Sequence, residues 1–288
     1  MTVTNTFVSR KLFTPIVTIV VLLAGIAVGT ATAGVLVAPT VVFISDNNRT
    51  GRLEVQNTSN EPREISVRLA FGLPESDSLG NVYVQLQDSN ITHPRSAVDW
   101  VKAFPRRIVV PPNGTQVIRL VARPPQDLRD GEYWARIVVT SREGAGSLPS
   151  PGDDDQIATR LNMVMQTAIM LKYRNGDCVT HMELTDRSAR LTEKGAEVML
   201  GMRNTGNASY MGVLRCVLAD GDGRTAAEKE FNIAVYDDLL RRVDMEFDRT
   251  QFRGPFTLDV KVTSEGRSDV AREDMLAGND VTYTMTVE

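Results

Sequence analysis

Few residues in the chain are of the types that acid–base, nucleophilic or metal chemistry requires. The 288 residues include two histidines, His93 and His181, and two cysteines, Cys178 and Cys216. A Ser-His-Asp hydrolase needs a histidine that an acid positions beside an exposed serine. The two histidines fall in different predicted domains, and no serine lies in a nucleophile-elbow pattern. The sequence therefore predicts that the protein is not an enzyme.

Two short patterns have the spacing of metal ligands. The segment "CVTHME" at 178–183 has Cys-x-x-His and His-x-Glu spacings, but a zinc site needs three or four ligands and Cys216 is the one further thiol. The segment "DGDG" at 220–223 has the first residues of a calcium loop. The twelfth position is Phe231, where that loop requires a bidentate Glu. We expect no metal, no cofactor and no small-molecule substrate.

The bulk composition limits the class of partner. Hydrophobic residues make up 42% and charged residues 24%, which is ordinary for a globular protein with a core. The formal net charge is −4. Nucleic acid is therefore disfavoured as a partner, because binding a phosphate backbone requires clustered Lys and Arg.

The N-terminal segment predicts export. Arg10 and Lys11 precede the apolar stretch 12–29, and Ala31 and Ala33 supply the small-x-small pattern of a signal-peptidase site. We expect residues 1–33 to be a signal peptide, with an uncleaved membrane anchor as the second interpretation. Either way, the rest of the chain is exported. In an oxidising compartment, Cys178 and Cys216 form a disulfide or are small apolar residues, and both alternatives stay open.

Short strands dominate the chain after residue 34. Runs of alternating or β-branched residues recur at 38–46, 51–59, 63–72, 115–124 and 131–141, bounded by Gly, Pro, Asn and Asp. Their number and their turns predict an all-β fold of immunoglobulin-like sandwiches. We expect one sandwich domain at 34–175 and a second, smaller one at 176–288.

One row of apolar side chains has two possible uses. Leu161, Met163 and Met165 alternate with polar or small residues, just after the Gly-, Ser-, Pro- and Asp-rich loop at 143–158. Thr167 and Ile169 continue the same face of this predicted strand, because strand side chains have a period of two. The row fills the core of the protein itself, or it binds a partner.

Four segments resemble the first domain of the PapD-like periplasmic pilus-assembly chaperones. They are "PTVVFISDNNRTGRLEVQNTSNE" at 39–61, "FPRRIVVPPNGTQVIRLV" at 104–121, "DLRDGEYWARIVV" at 127–139 and "LNMVMQTAIMLKYR" at 161–174. The resemblance covers roughly residues 38–175. It implies a periplasmic chaperone that lends its last strand to an exported, pilin-like subunit with an incomplete sandwich, and works with an outer-membrane usher. The donated side chains would be Leu161, Met163, Met165, Thr167 and Ile169.

The resemblance does not extend to the anchor for the subunit. Family chaperones hold the C-terminal carboxylate of the subunit with an Arg and a Lys, and those positions correspond here to Thr40 and Met170. Lys172, two residues further on the same face as Met170, is the remaining candidate anchor. The alternative to a chaperone is a non-chaperone binding or structural protein built from two immunoglobulin-like modules.

Overall fold

A computed structural model describes residues 34–143 and 163–287. The predicted signal peptide at 1–33, Leu161 and most of the predicted loop at 143–158 lie outside the described residues. The described residues belong to one compact unit, which contains both sandwiches. Within these two ranges, no helix has the length and apolar character needed to cross a membrane.

The described chain is built almost entirely from strands. The strands are β1 (Val35–Ala38), β2 (Val41–Ser45), β3 (Thr50–Asn57), β4 (Arg63–Ala70), β5 (Pro74–Ser76), β6 (Val82–Val84), β7 (Val101–Phe104), β8 (Arg107–Val110), β9 (Thr115–Ala122), β10 (Gly131–Glu143), β11 (Met165–Asn175), β12 (Met182–Thr192), β13 (Gly195–Asn204), β14 (Tyr210–Ala219), β15 (Thr225–Val235), β16 (Asp238–Glu246), β17 (Phe256–Thr263) and β18 (Val281–Val287). Two short 3-10 helices span Arg249–Gln251 and Arg272–Asp274. The all-β prediction is confirmed.

The first sandwich packs a four-stranded sheet, ordered β1-β3-β9-β7, on a five-stranded sheet, ordered β2-β11-β10-β4-β8. Its core is formed by the inward residues of both sheets, among them Leu53, Ile65, Ile118, Ile137 and Leu171, which are fully buried. Burying such side chains drives the two sheets together.

A tyrosine corner marks this sandwich as immunoglobulin-like. Tyr133 lies near the start of β10, and its hydroxyl donates to the carbonyl of Arg129, four residues upstream, at 3.0 Å. A Tyr at this corner that bonds back to the backbone is a feature of the immunoglobulin fold. It fixes the entry into the strand that pairs with β11.

Two strands of the first sandwich change sheet at a proline. Pro39 separates β1 from β2, and Pro105 separates β7 from β8; both X–Pro bonds are cis. Proline has no N–H for a ladder, so a strand is interrupted there and can continue in the other sheet. The sequence analysis predicted one strand over 38–46 and missed this division. Its consequence is that β2 lies beside β11.

The second sandwich packs a three-stranded sheet, β12-β13-β16, on a four-stranded sheet, β15-β14-β17-β18. Leu200, Leu214, Leu218, Leu258 and Val262 are fully buried between the two sheets. The structure thus contains two immunoglobulin-like sandwiches, as predicted.

A hairpin of β5 and β6 ties the long connection after β4 to the second sandwich. The hydroxyl of Ser76 accepts a hydrogen bond from the N–H of Leu240 at 2.9 Å, and the carbonyl of Gly80 accepts one from the N–H of Arg242 at 2.9 Å. Both donors lie on β16, an edge strand of its sheet. The hairpin therefore covers part of an edge that would otherwise be free to pair with another chain.

Candidate functional site

The two edges of β11 are occupied to different extents. On one side, β10 pairs antiparallel with the whole strand, from Met165 to Asn175. On the other side, β2 pairs in parallel only from Met170 to Arg174. No strand of the described residues pairs with this second edge between Met165 and Ile169. This stretch is called the open edge below.

The hydrogen bonds further along β11 show which of its residues direct their backbone groups towards the open edge. The N–H of Asp46 donates to the carbonyl of Arg174 at 3.0 Å, so Arg174 directs its backbone groups towards the β2 side. The direction alternates along a strand, so even-numbered residues share it. Gln166 and Ala168 therefore present N–H and C=O groups on the open edge, where a further strand can pair.

The side chains on the odd-numbered face become more buried along the chain. Met163 is 55% exposed and Met165 is partly buried against the core of the first sandwich, where it approaches Gly34. Thr167 is also partly buried, whereas Ile169 is 4% exposed and belongs to that core. The sequence analysis assigned Ile169 to the partner-binding row, and this is corrected: Ile169 is core. Leu161 lies outside the described residues.

A buried carboxylate binds the other half of β11 to the second sandwich. Glu132 on β10 is fully buried and accepts hydrogen bonds from Lys172 Nζ at 3.0 Å, Arg174 Nε at 3.2 Å and Trp134 Nε1 at 2.7 Å. The hydroxyl of Ser209, from the second sandwich, bonds to both Glu132 and Lys172. We call these five residues the Glu132 cluster.

The charges in the Glu132 cluster compensate one another. Burial by itself raises the pKa of the Glu132 carboxyl, but Lys172, Arg174 and the hydrogen bonds from Ser209 and Trp134 outweigh it and hold that pKa below its usual value. A buried ion costs several kcal/mol unless it is paired and hydrogen-bonded. Glu132 is therefore ionised and fully partnered at neutral pH.

Lys172 is consequently not available as an anchor for an external carboxylate. Its side chain is 1% exposed, its Nζ is bound within the cluster, and it lies 4.6 Å from the ring centroid of Tyr236. The sequence analysis proposed Lys172 as the candidate anchor, and this is corrected by its burial. Separating it from Glu132 would leave the buried ammonium without its counter-charge.

The two family anchor positions are occupied by residues without charge. Met170 is 5% exposed and packs in an apolar cluster between the sandwiches with Trp134 and Tyr236, whose rings meet edge to face at 4.9 Å. Thr40 is exposed, and its hydroxyl donates to the carbonyl of Asp269 at 3.2 Å. The end of the open edge therefore carries no cation from Thr40, Met170 or Lys172.

Cys178 and Cys216 are free thiols, which decides against the disulfide, one of the two alternatives that the sequence left open. Cys216 is buried in the core of the second sandwich, and this burial raises the pKa of its thiol to about 12. Cys178 is half-buried in the segment between β11 and β12. Cys216 is therefore a small buried apolar residue, which was the second of the two alternatives.

The remaining chemical candidates are dispersed. His93 stacks on Phe71 at 4.8 Å and lies 3.7 Å from the carboxylate of Asp237, while His181 lies near Glu183 at 4.0 Å. Within 34–143 and 163–287, no three His, Cys, Asp or Glu side chains come together as metal ligands. Neither histidine touches the open edge.

The sequence analysis missed the Glu132 cluster, although one signal for it was present. The segment 127–139, which carries part of the resemblance, has Glu132 directly before the aromatic pair Tyr133 and Trp134, but Glu132 was given no role. A Glu at the start of a strand, followed by the three apolar residues Tyr133, Trp134 and Ala135, must be paired if it is buried. The contact with Ser209, 77 positions away, is not visible in any local pattern.

Solved structures to which the chain is similar are chaperones. The CupB2 chaperone of Pseudomonas aeruginosa is 14% identical, over 88% of this chain and 100% of that chain, with a TM-score of 0.42. The class 5 fimbriae chaperone CfaA is 13% identical, over 88% and 99%, with a TM-score of 0.43. The SafB chaperone of Salmonella enterica, in complex with the SafA pilin, is 13% identical, over 88% and 96%, with a TM-score of 0.42. No protein-family model and no curated protein matches the chain.

Proposed function

We propose that the protein is a chaperone-like protein that binds an exported, pilin-like subunit by pairing the open edge of β11 with it. The subunit is one whose own sandwich lacks a strand, so that an apolar groove is uncovered. Export through the predicted signal peptide places the protein in the periplasm, where an outer-membrane usher is a further partner. The domain at 34–175 carries the edge, and the domain at 176–288 supports it.

The observation that carries this proposal is the open edge itself. No strand of 34–143 or 163–287 pairs with the backbone groups of Gln166 and Ala168 on this edge, and unpaired edges are sites where another chain adds a strand. The flanking residues Met163 and Val164 are 55% and 54% exposed. A large apolar side chain exposed beside an unpaired edge favours a protein partner.

The side chains of the edge supply the apolar part of the binding. Met163 is available in full and Met165 in part, and burying a Met contributes about 1.5–3 kcal/mol before ordering costs. Methionine is unbranched and flexible, so it fills pockets of different shapes. We therefore expect tolerant rather than strict recognition of the subunit.

The experiment is a pull-down of the tagged mature protein from the exported fraction of its host, with mass spectrometry. We expect a small sandwich subunit in one-to-one ratio with the protein. Met163→Asp should abolish its recovery, because a charge would enter the apolar groove of the subunit. Met163 contributes nothing to the core, so this variant remains folded.

Val164→Asp is the matched control. Val164 has nearly the same exposure as Met163 and receives the same charge, but it precedes β11 by one residue and alternates to the other face. Recovery should survive in Val164→Asp. Equal recovery with both variants, each with an unchanged thermal midpoint, would contradict the proposal.

A second candidate function is a non-chaperone binding or structural protein built from two sandwiches. The neutral residues at the anchor positions, Thr40 and Met170, favour it, because nothing there holds a charged chain end. Under this alternative, the pull-down recovers no incomplete sandwich, and Met163→Asp changes no partner.

A further inference from the structure

A groove of about 730 Å³ lies beside β2, on the side away from β11. Its walls come from β2, β3, β9 and the segment 269–274 of the second sandwich. Pockets of this volume hold small ligands or a few residues of a peptide. The groove is separate from the open edge, so an inference from it goes beyond the proposed function.

Two arginines without a counter-charge line this groove. Arg52 on β3 and Arg119 on β9 are directly opposite each other in the antiparallel pairing. Neither has a carboxylate within ion-pair distance among the residues that the structure describes. Like charges in opposed positions destabilise a sheet, and their side chains are close enough to share one anion.

The acidic residues of the groove do not neutralise this pair. Asp269 is bound by Arg267 at 2.5 Å and by Asn232 at 3.2 Å. Asp274 also lines the groove, and burial raises the pKa of its carboxyl. Arg174 lies close enough to attract the Asp274 carboxylate, so among the described residues that line the groove Arg52 and Arg119 leave a positive balance.

The outer edge of β2 offers backbone groups to the groove. The N–H of Asp46 bonds to β11, and backbone direction alternates along a strand. The backbone groups of Val42 and Ile44 therefore point to β11, and those of Val41 and Phe43 point away from it. Val41 and Phe43 line the groove, as does Val117, which is 46% exposed. An edge strand with apolar and cationic neighbours is suited to an extended chain.

We propose that this groove binds a short extended peptide segment of a partner protein that carries an acidic side chain. The segment pairs with the outer edge of β2, its apolar side chains contact Phe43 and Val117, and its carboxylate bridges Arg52 and Arg119. The charge of the arginine pair selects an acidic segment over a neutral one, because guanidinium groups bind a carboxylate in the bidentate manner that an amide cannot match.

The test is a fluorescence anisotropy titration with two labelled, capped heptapeptides, TVEVEVT and TVQVQVT. The acidic peptide should bind, and the glutamine peptide should bind about tenfold more weakly, because it lacks the charge-assisted bonds. The double variant Arg52→Gln, Arg119→Gln should remove this preference. Added salt should weaken binding of the acidic peptide only.

Arg107→Gln is the control, since Arg107 is an exposed arginine on β8, in the other sheet, outside the groove. It should bind both peptides as the wild type does. The double variant relieves an opposed like-charge pair, so its thermal midpoint should not fall. A wild type that binds neither peptide, or both equally, overturns the proposal.

Sedimentation of the same samples separates a second copy of this chain from a peptide partner. Self-association that is lost in the double variant, without binding of either peptide, would assign the groove to a dimer and overturn the proposal. Met163→Asp should lose the subunit but bind the acidic peptide as the wild type does. This result would show that the open edge of β11 and the groove beside β2 are separate sites.

Discussion

The two halves of β11 differ in almost every property although they form one continuous strand. From Met165 to Ile169 the strand is paired on one side, and its outward residues are neutral. From Met170 to Arg174 it is paired on both sides, and its even-numbered face carries two cations bound to Glu132. The division falls where β2 begins.

The position of each half of β11 beside its neighbouring strands, rather than its residue pattern, decides whether that half belongs to the protein's own fold or is open to a partner. The odd-numbered residues share one face in both halves, but Leu171 and Tyr173 are fully buried whereas Met165 and Thr167 are only partly buried. The neighbouring strand decides which half is free. Substitutions in each half, and a change of pH, test this division.

Glu132→Gln should destabilise the protein by about 3–5 kcal/mol, because it leaves Lys172 buried without a counter-charge. Urea unfolding at pH 7 measures this. Adding Lys172→Met should recover part of the loss, since a pair replaced by apolar groups is often neutral. The exposed pair of Arg203 and Asp238 is the control, and Arg203→Gln should cost much less than Glu132→Gln, because water already solvates that pair. A similar loss of stability in both variants would contradict the role of Glu132 as a buried counter-charge for Lys172.

Ile169→Ala should cost about 2–5 kcal/mol, because it opens a cavity in the core of the first sandwich. Met163→Ala lies on the same face, six residues earlier, and should change stability by no more than about 0.5 kcal/mol. The measurement is the free energy of unfolding in urea for both variants. Equal losses would mean that this face is not divided between an exposed start and a buried core residue at Ile169.

Acid should weaken the Glu132 cluster. The pKa of Glu132 is lowered in the folded protein, so its contribution to stability is complete above the unfolded value of about 4.3 and is lost as the pH falls through the folded pKa. Urea midpoints between pH 7 and pH 3 should therefore fall less steeply in Glu132→Gln than in the wild type. Parallel curves would mean that Glu132 is not ionised in the fold.

Ala168→Pro should leave stability nearly unchanged but weaken subunit binding. Its N–H lies on the open edge, where proline is tolerated because no ladder bond is lost. A paired subunit strand would lose one hydrogen bond and meet the ring. The measurement is subunit recovery in the pull-down, with Ala168→Val as the control that keeps the N–H. Full recovery with proline would show that this edge is not used.

Local patterns were sufficient for the fold class and for the strands. Alternation at 63–72, 115–124 and 131–141 predicted β4, β9 and β10, because a half-buried strand has a period of two. The Pro-Pro-Asn-Gly sequence at 111–114 follows β8 directly, as turn residues do after a strand. These features depend only on residues that are neighbours in the sequence.

The site depended on contacts between distant residues, which no local pattern contains. Lys172 has the same appearance in the sequence whether it faces solvent or Glu132, 40 positions earlier. Ile169 continues the alternation of Met163, but Ile169 packs in the core of the first sandwich whereas Met163 is exposed. The free state of Cys178 and Cys216 likewise depends on where two separate segments lie.

The hairpin of β5 and β6 has a mechanical consequence. The two sandwiches are joined at the Glu132 cluster and again, through different strands, where Ser76 and Gly80 bond to β16. Two sandwiches in contact at one place could rotate about it in any direction. With two separate contacts, rotation that breaks neither is limited to the axis that passes through both. Rotation of one sandwich against the other is therefore restricted, and the open edge keeps one orientation relative to the second sandwich.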